Sequence, residues 1–296
     1  MNGIIVLDKP AGMTSHDVVE TVRKVAAGVK VGHAGTLDPH ATGVLIILLG
    51  KATKISRFLM GLEKEYLFTV QLGLETDTLD RWGKTVTIVD AVENSEQEIA
   101  EAAARLTGRQ EQIAPAISAL KHRGQPLYKL ARRGKEVPRK ARMVDVKRLD
   151  ILDVTHPFIT ARVVCSSGTY VRSLARDMGS LLGTVASVFC LKRTRIGTFG
   201  LDQAVALGRL TGDGENLESL ALPVSEALSH LPRITVTEEG ADGLRSGRQP
   251  RVEDMCASDI DFEGEYALLV DGNGAAVAVV KRVADPSVGL ATERVL

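Results

Sequence analysis

The sequence predicts an α+β protein in two parts, and three patterns carry that expectation. Short apolar runs with strand character recur along the first two-thirds of the chain: Ile4 to Leu7, Val44 to Leu49 and the alternating Tyr66 to Leu72. Among them lie two stretches with helical spacing of apolar residues, each opened by a capping box, Thr14 with Asp17 and Ser95 with Glu98. After the polar, glycine-rich break from Thr211 to Asn216, and a second break at Leu231-Pro232, the chain turns strand-rich.

In chain order, Ile4 to Leu7 reads as a short buried strand. A Pro-Gly turn leads to a helix from about Ser15 to Ala27, with Val18, Val19, Val22 and Val25 on one face and Gly28 at its end. Tyr66 to Leu72 is a half-buried strand. Ser95 caps a helix running to about Thr107, with Ile99, Ala102, Ala103 and Leu106 facing inward and Gly108 closing it. Strands near Val144 to Leu152 and Ile159 to Cys165 precede Gly168, and Tyr170 to Leu182 is helical, which puts Arg172 near a helix start that can face a cleft. In the tail, Glu265 to Val270 and Ala275 to Val283 flank Asp271-Gly272-Asn273-Gly274 as a hairpin.

With 296 residues, 44% apolar and 25% charged, the chain has the composition of a globular protein large enough for one large domain and a small one. The expected division is 1–225 and 232–296. The run Val44 to Leu49 is far too short to span a bilayer. With no charged-then-apolar signal segment before the fold, a cytoplasmic location and no membrane association are expected. Cys165, Cys190 and Cys256 are too few and too far apart for a disulfide framework or a Cys-x-x-Cys metal site, and read as reduced thiols.

The 37 basic and 37 acidic side chains cancel, but they are segregated. From Lys121 to Arg148 eleven Lys or Arg residues face only Glu136 and Asp145, while from Glu75 to Glu101 eight acids face only Arg81 and Lys84. A neutral protein with one positive face suits a polyanionic partner. Gly124, Pro126, Gly134 and Pro138 interrupt the basic run, so it reads as an irregular projecting arm.

The segment Gly32-His33-Ala34-Gly35-Thr36-Leu37-Asp38-Pro39-His40-Ala41-Thr42-Gly43 places one carboxylate in a glycine-lined turn running into the Val44 strand. Glycines permit close approaches, and Pro39 rigidifies the chain just after the acid. That arrangement suits a side chain fixed toward a ligand. It also suits a plain turn in which Asp38 bonds its own backbone.

The surroundings bear on that choice. Gly3-Ile4-Ile5-Val6-Leu7-Asp8-Lys9-Pro10-Ala11-Gly12-Met13-Thr14-Ser15 together with the Asp38 segment closely resembles the N-terminal signature of the TruB family of tRNA pseudouridine synthases. Lys64-Glu65-Tyr66 with Leu72-Gly73-Leu74-Glu75-Thr76-Asp77-Thr78-Leu79-Asp80 resembles its second motif, Ser167-Gly168-Thr169-Tyr170-Val171-Arg172 its third and Leu191-Lys192-Arg193-Thr194-Arg195-Ile196-Gly197 its last. The resemblance spans roughly residues 2 to 200 in family order. It implies a pseudouridine-synthase fold, with a central mixed or antiparallel sheet flanked by helices, a projecting thumb loop at about 112–145 and a small C-terminal PUA-like β-barrel.

It also implies an isomerase acting on uridine-55 in the T-loop of tRNA, expected to work without metal or other cofactor and with no protein partner required, and nothing in the sequence demands more than a monomer. On this resemblance Asp38 is the nucleophile toward a flipped-out base, attacking either the sugar C1′ or ring C6. Arg172 pairs with Asp38, holds it and favours its charged form. Tyr66 packs on the flipped base, His33 fills the vacated position, Leu191 lines the pocket, Lys9 organises its floor or meets a phosphate, and Tyr170 joins the substrate-binding set. Lys121, Arg123, Lys129, Arg132 and Arg133 of the thumb are the candidate phosphate contacts. The thumb departs from the family pattern at Ala114-Pro115-Ala116-Ile117-Ser118-Ala119-Leu120-Lys121, where a Pro-Pro pair and a tyrosine are usual.

Three other readings compete. His33, Asp38 and His40 could form a two-histidine, one-carboxylate metal site, although no second cluster supports it. The Gly43-to-Lys51 segment has six residues between its glycines where a phosphate-binding loop has four, and Ala52 follows the lysine, so the spacing rejects that motif. A non-catalytic RNA-binding or tRNA-folding protein on the same scaffold would bind without turnover.

Overall fold

A computed structural model describes residues 1–90, 93–115, 121–122, 125–126, 141–211, 216–256, 262–283 and 289–296, with the side chains of 121–122, 125–126 and 211 left undescribed. Of the thumb residues, Arg123, Lys129, Arg132 and Arg133 lie outside the described residues, as does the side chain of Lys121.

A ten-stranded mixed sheet organises the first two-thirds of the chain. Its strands are β1 (Gly3–Lys9), β2 (Val31–Ala34), β3 (Thr42–Leu49), β4 (Lys64–Leu72), β7 (Gly108–Ile113), β10 (Ala141–Thr155), β11 (Phe158–Cys165), β12 (Ala186–Ile196), β13 (Phe199–Gly200) and β14 (Val205–Ala206). The order is β14-β1-β3-β12-β4-β11-β10-β7, with β2 beside β3 and β13 beside β12. Two parallel pairings, β1 with β14 and β3 with β12, interrupt an otherwise antiparallel ladder. Two small hairpins stand apart, β5 (Leu74–Thr76) with β6 (Thr85–Ile88) and β8 (Lys121–His122) with β9 (Gln125–Pro126).

The sheet is covered according to the pattern of each strand. In β3 every residue from Gly43 to Leu49 is buried, because both faces are packed. Val44, Ile46 and Leu48 join one apolar cluster with Ile4, Val6 and Phe58, while Leu45, Ile47 and Leu49 meet Val18, Val19 and Val22 of helix α1 (Ser15–Val25) on the other side. In β4 burial alternates strictly: Tyr66, Phe68, Val70 and Leu72 face a core shared with α3 (Glu96–Arg105) and α4 (Val171–Leu181), counting Ser56–Met60 as α2.

Both capping boxes form as their sequences require. Helix α1 stops two residues earlier than its apolar spacing suggests. Ala27 and Gly28 take left-handed conformations, with φ of 45° and 81°, and Val25 is turned 41% to solvent rather than into the stripe.

The strand-rich tail forms a four-stranded sheet of β15 (Arg233–Thr235), β16 (Tyr266–Val270), β17 (Ala276–Arg282) and β18 (Leu290–Val295), backed by α5 (Glu238–Arg245). The expected hairpin is β16 with β17. Among the described residues the sheet is open, running β15-β16-β17-β18, so a closed barrel is not found. Its Leu268, Val270 and Val279 pack into the same cluster as Ile4 and Ile46, so the tail shares a core with the main sheet. Among the described residues no helix is long and apolar enough to cross a membrane.

Candidate active site

Asp38 sits in the 35–41 loop between β2 and β3, and that loop is held from three directions. From the first strand, the Lys9 ammonium donates to the carbonyl oxygens of Pro10 at 2.7 Å and Pro39 at 3.0 Å. At the start of α1, the Ser15 hydroxyl accepts from the Leu37 amide at 2.9 Å and lies 3.2 Å from the Leu37 carbonyl, to which it donates. From β12, the Arg193 guanidinium donates to the carbonyls of Val44 at 2.7 Å, Gly35 at 3.1 Å and Thr36 at 3.4 Å.

Lys9 and Arg193 are both fully enclosed, so each spends its charge on backbone oxygens that would otherwise be buried without partners. Gly43 makes the approach of β12 possible. Its φ is 99°, and a Cβ there would stand 2.1 Å from the Arg193 carbonyl oxygen.

The carboxylate faces Arg172, one residue into α4. Arg172 Nε lies 2.9 Å from Asp38 Oδ2, and Nη2 donates to Oδ1 at 3.1 Å, a two-point grip that fixes the plane of the carboxylate. The guanidinium is itself anchored, because Nη1 donates to the Thr78 carbonyl at 2.6 Å and lies 3.9 Å from Asp80 Oδ2. The arginine side chain is 5% exposed and the aspartate side chain 38%, so the cation is sealed behind an anion that opens outward.

The loop that supplies Thr78 and Asp80 is stiff. Asp80 pairs with Val188 of β12, the Thr76 hydroxyl donates to the Asp80 carbonyl at 2.6 Å, and the Thr78 hydroxyl donates to the Asp80 carboxylate at 2.7 Å. Leu79 is held at a φ of 61°, a left-handed conformation costing an unbranched-at-Cβ residue about 1 kcal/mol.

A cavity of about 250 Å³ opens at Asp38, walled by Tyr66, Leu191, Tyr170, Lys64 and Met60. A smaller one of about 90 Å³ shares Asp38, Arg172 and Leu191 with it and extends past His40, Arg81, Trp82 and Phe189. Burial raises the Tyr66 phenol above its usual range, against the opposing pull of Arg193, so the ring presents a neutral wall. Burial also lowers Lys9 to about 8, although Asp38 pulls the other way, and lowers Lys64 to about 8, with Arg193 adding to it.

The structure thus gathers Asp38, Arg172, Tyr66, Leu191 and Tyr170 at one cavity and places Lys9 beneath its loop, turned to backbone carbonyls rather than to the surface. His33 is not among the residues lining either cavity. It is half-buried on β2, opposite Ile47, and burial lowers its pKa. His40 stacks on Trp82, and among the described residues no group of three or more His, Cys, Asp or Glu side chains is gathered as metal ligands would be.

Arg193 was not singled out by its sequence, although it stands two residues from Leu191 within the last motif. The alternation of β12 was the signal, since it turns Leu191 and Arg193 to the same side. The base of the expected thumb meets this rim as well. Ile113 of β7 pairs with Ala141 of β10, Gln112 exchanges hydrogen bonds with the Tyr170 backbone at 2.8 and 3.2 Å, and the Arg142 guanidinium lies 5.5 Å from the Tyr170 ring centroid.

A mixed sheet with an arginine-gripped aspartate at the mouth of a cavity of about 250 Å³ is the arrangement on this chain, and comparison with known proteins puts it in the pseudouridine synthase class. The family model described as "TruB family pseudouridylate synthase (N terminal domain)" matches residues 23–171, and "tRNA pseudouridylate synthase B C-terminal domain" matches residues 172–229. Proteins described as tRNA pseudouridine synthase B are 44% identical in Syntrophotalea carbinolica, over 96% of this chain and 92% of theirs, and 41% identical in Geobacter sulfurreducens, over 98% and 95%. A chain in the crystal structure of a Cbf5-Nop10-Gar1 complex superimposes with a TM-score of 0.78 at 26% identity, covering 99% of this chain and 84% of that one. The chain belongs to the TruB family of pseudouridine synthases, and is an isomerase of that family.

Proposed function

We propose that this chain converts uridine-55 in the T-loop of tRNA to pseudouridine, with Asp38 as the nucleophile. The observation that carries the reading is the two-point ion pair between Asp38 and the buried Arg172 at the mouth of the 250 Å³ cavity. The reaction breaks the N1–C1′ bond, turns the freed base and joins C5 to C1′, and the C5 hydrogen leaves as a proton. An ionised carboxylate attacks either C1′ or C6. Arg172 holds it oriented, and because Thr78 anchors the guanidinium, the cation does not follow the carboxylate as a bond forms.

The target base must leave its stack, at a cost of about a few kcal/mol. Tyr66 and Leu191 offer the apolar walls that replace the lost stacking, and the neutral phenol brings no charge against the ring. His33 is assigned to the space the base vacates. Lys121, Arg123, Lys129, Arg132 and Arg133 are assigned to the phosphates of the T-arm, a role supported by the thumb base standing at the Tyr170 rim. Residues 1–225 are assigned to catalysis and 232–296 to a PUA-like RNA-contacting unit, acting in the cytoplasm as a monomer without a protein partner.

The test is tritium release from an unmodified tRNA transcript labelled at uridine C5, since hydrogen leaves C5 only when the new carbon–carbon bond forms. Wild type should release label and Asp38→Asn should not, while still binding the transcript. Release by Asp38→Asn at the wild-type rate removes Asp38 from the reaction. Binding without release by wild type favours an RNA-folding role.

A further inference from the structure

Beside the Asp38 cavity stands a column of planar side chains that the isomerisation does not use. The Arg81 guanidinium lies 4.3 Å from the Phe189 ring centroid and 4.5 Å from that of Trp82. The Trp82 indole in turn stacks on His40 with ring centroids 4.0 Å apart and 20° between planes. These four line the 90 Å³ cavity that shares Asp38, Arg172 and Leu191 with the larger one. Trp82 is 54% exposed and His40 is exposed as well, an unusual outlay of apolar ring surface to water.

A loosely tethered tryptophan would fold this surface away. Here the backbone prevents it. The Trp82 amide donates to Asp80 Oδ1 at 3.0 Å, the Arg81 amide to the Val188 carbonyl at 2.9 Å, and the Lys84 amide to Asp77 Oδ1 at 2.8 Å. Gly83 closes the turn where a Cβ would lie 2.2 Å from the Thr78 hydroxyl. The same loop supplies the carbonyl that anchors Arg172, so the aromatic surface is rigidly referenced to the catalytic carboxylate.

We propose that the His40–Trp82 column is a second base platform, which stacks an unpaired nucleobase adjacent to the flipped target. Stacked aromatic rings with a guanidinium close against them are a surface on which nucleobases stack without regard to their hydrogen-bonding edges. Arg81 within the column adds positive charge for the neighbouring phosphate. With both cavities meeting at Asp38, a nucleotide next to the one in the larger cavity is within reach of the column. The platform fixes the strand on either side of the glycosidic bond to be broken, and it favours a target whose neighbour is itself unpaired. This inference rests on the RNA-modifying reading above.

Trp82 is the chain's single tryptophan, so its fluorescence reports on this site alone. The probe is an unmodified tRNA transcript bound to Asp38→Asn protein, with binding followed in parallel by filter retention. Fluorescence should be quenched along the binding curve, and an abasic nucleotide on one side of the target should abolish the quench. In otherwise wild-type protein, Trp82→Ala should raise KM about five- to a hundredfold, with a much smaller change in kcat, and Trp82→Phe should restore most of the affinity.

Retention of RNA with no quench overturns the platform. So does an unaltered quench with an abasic nucleotide on either side, or an unchanged KM in Trp82→Ala. Tritium release by wild type separates this from the reaction itself: release without quenching sinks the platform alone, and quenching without release sinks the reaction alone.

Discussion

The ammonium of Lys9 donates to the carbonyl oxygen of Pro39, one residue beyond the Asp38 carboxylate, at 3.0 Å. A buried cation thus holds the 35–41 loop through its backbone. Lys9→Met, of similar length and without charge, should keep the fold and lower kcat by about tenfold or more, by loosening Asp38. Single-turnover tritium release measures it, and an unchanged rate would reduce Lys9 to a core residue.

Lys9 also ties stability to pH. Burial lowers its folded pKa to about 8, whereas the unfolded chain keeps it near 10.5. From about pH 8 to 10.5 the unfolded state therefore holds more protons, and this group's contribution to stability rises with pH across that window. Lys64, also near 8, adds to the rise, and Cys165, pushed up to about 11 by burial, opposes it above pH 9. Comparing urea midpoints of wild type and Lys9→Met at pH 7.5 and 9 cancels those two. Wild type should gain on the variant over that interval, and parallel midpoints would contradict the assignment.

Arg172→Lys keeps a positive charge and loses the fork that meets both oxygens of Asp38. We expect kcat to fall about a hundredfold or more in both Arg172→Lys and Arg172→Ala, with RNA affinity changing far less. Equal losses in turnover and binding would move Arg172 from the carboxylate to the RNA grip.

Gly43→Ala should be among the most damaging single changes in the protein, at about 3–5 kcal/mol. The added methyl would stand 2.1 Å from the Arg193 carbonyl at a φ of 99°. Equilibrium denaturation decides it, and a loss under about 1 kcal/mol would show that β12 can yield there.

In the tail, Arg248 donates to both oxygens of the buried Asp254 at 2.8 and 2.7 Å, and this hydrogen bonding, chiefly, holds the carboxyl below its ordinary value of 3.8. A depressed folded pKa gives stability that is complete above the unfolded value and is lost as pH falls through the folded one. Asp254→Ala should cost about 2 kcal/mol at neutral pH, and less as the medium is acidified below pH 3.8. A difference that persists unchanged in acid would mean packing, not the ion pair, is what the variant lost.

Elements governed by local chemistry were legible in the sequence. Thr14 with Asp17 and Ser95 with Glu98 cap their helices, and Asp271 to Gly274 turns the β16–β17 hairpin, because those residues meet partners a few positions away. The motif residues Asp38 and Arg172 converge as their resemblance implied, 134 positions apart. What local pattern could not convey is how strands from distant parts of the chain align. The burial of Arg193 against three carbonyls depends on β12 lying parallel to β3, and the open edge of the tail sheet depends on which strands find each other. Val25 shows the same limit on a smaller scale, since it is the last residue of its helix and stands 41% exposed although its spacing puts it on the apolar stripe.

The three-sided hold on the 35–41 loop also orders events during folding. Lys9 and Ser15 precede that loop closely in the chain, but Arg172 and Arg193 reach it across separations of 134 and up to 158 residues. Closing loops of that length is slow compared with forming local helices and hairpins. A refolding molecule will therefore regain its helical signal and the cluster of α1 against β3 before its carboxylate is gripped. Turnover is then a reporter of the last long-range contacts to form, and a chain arrested short of them would be compact, helical and chemically silent.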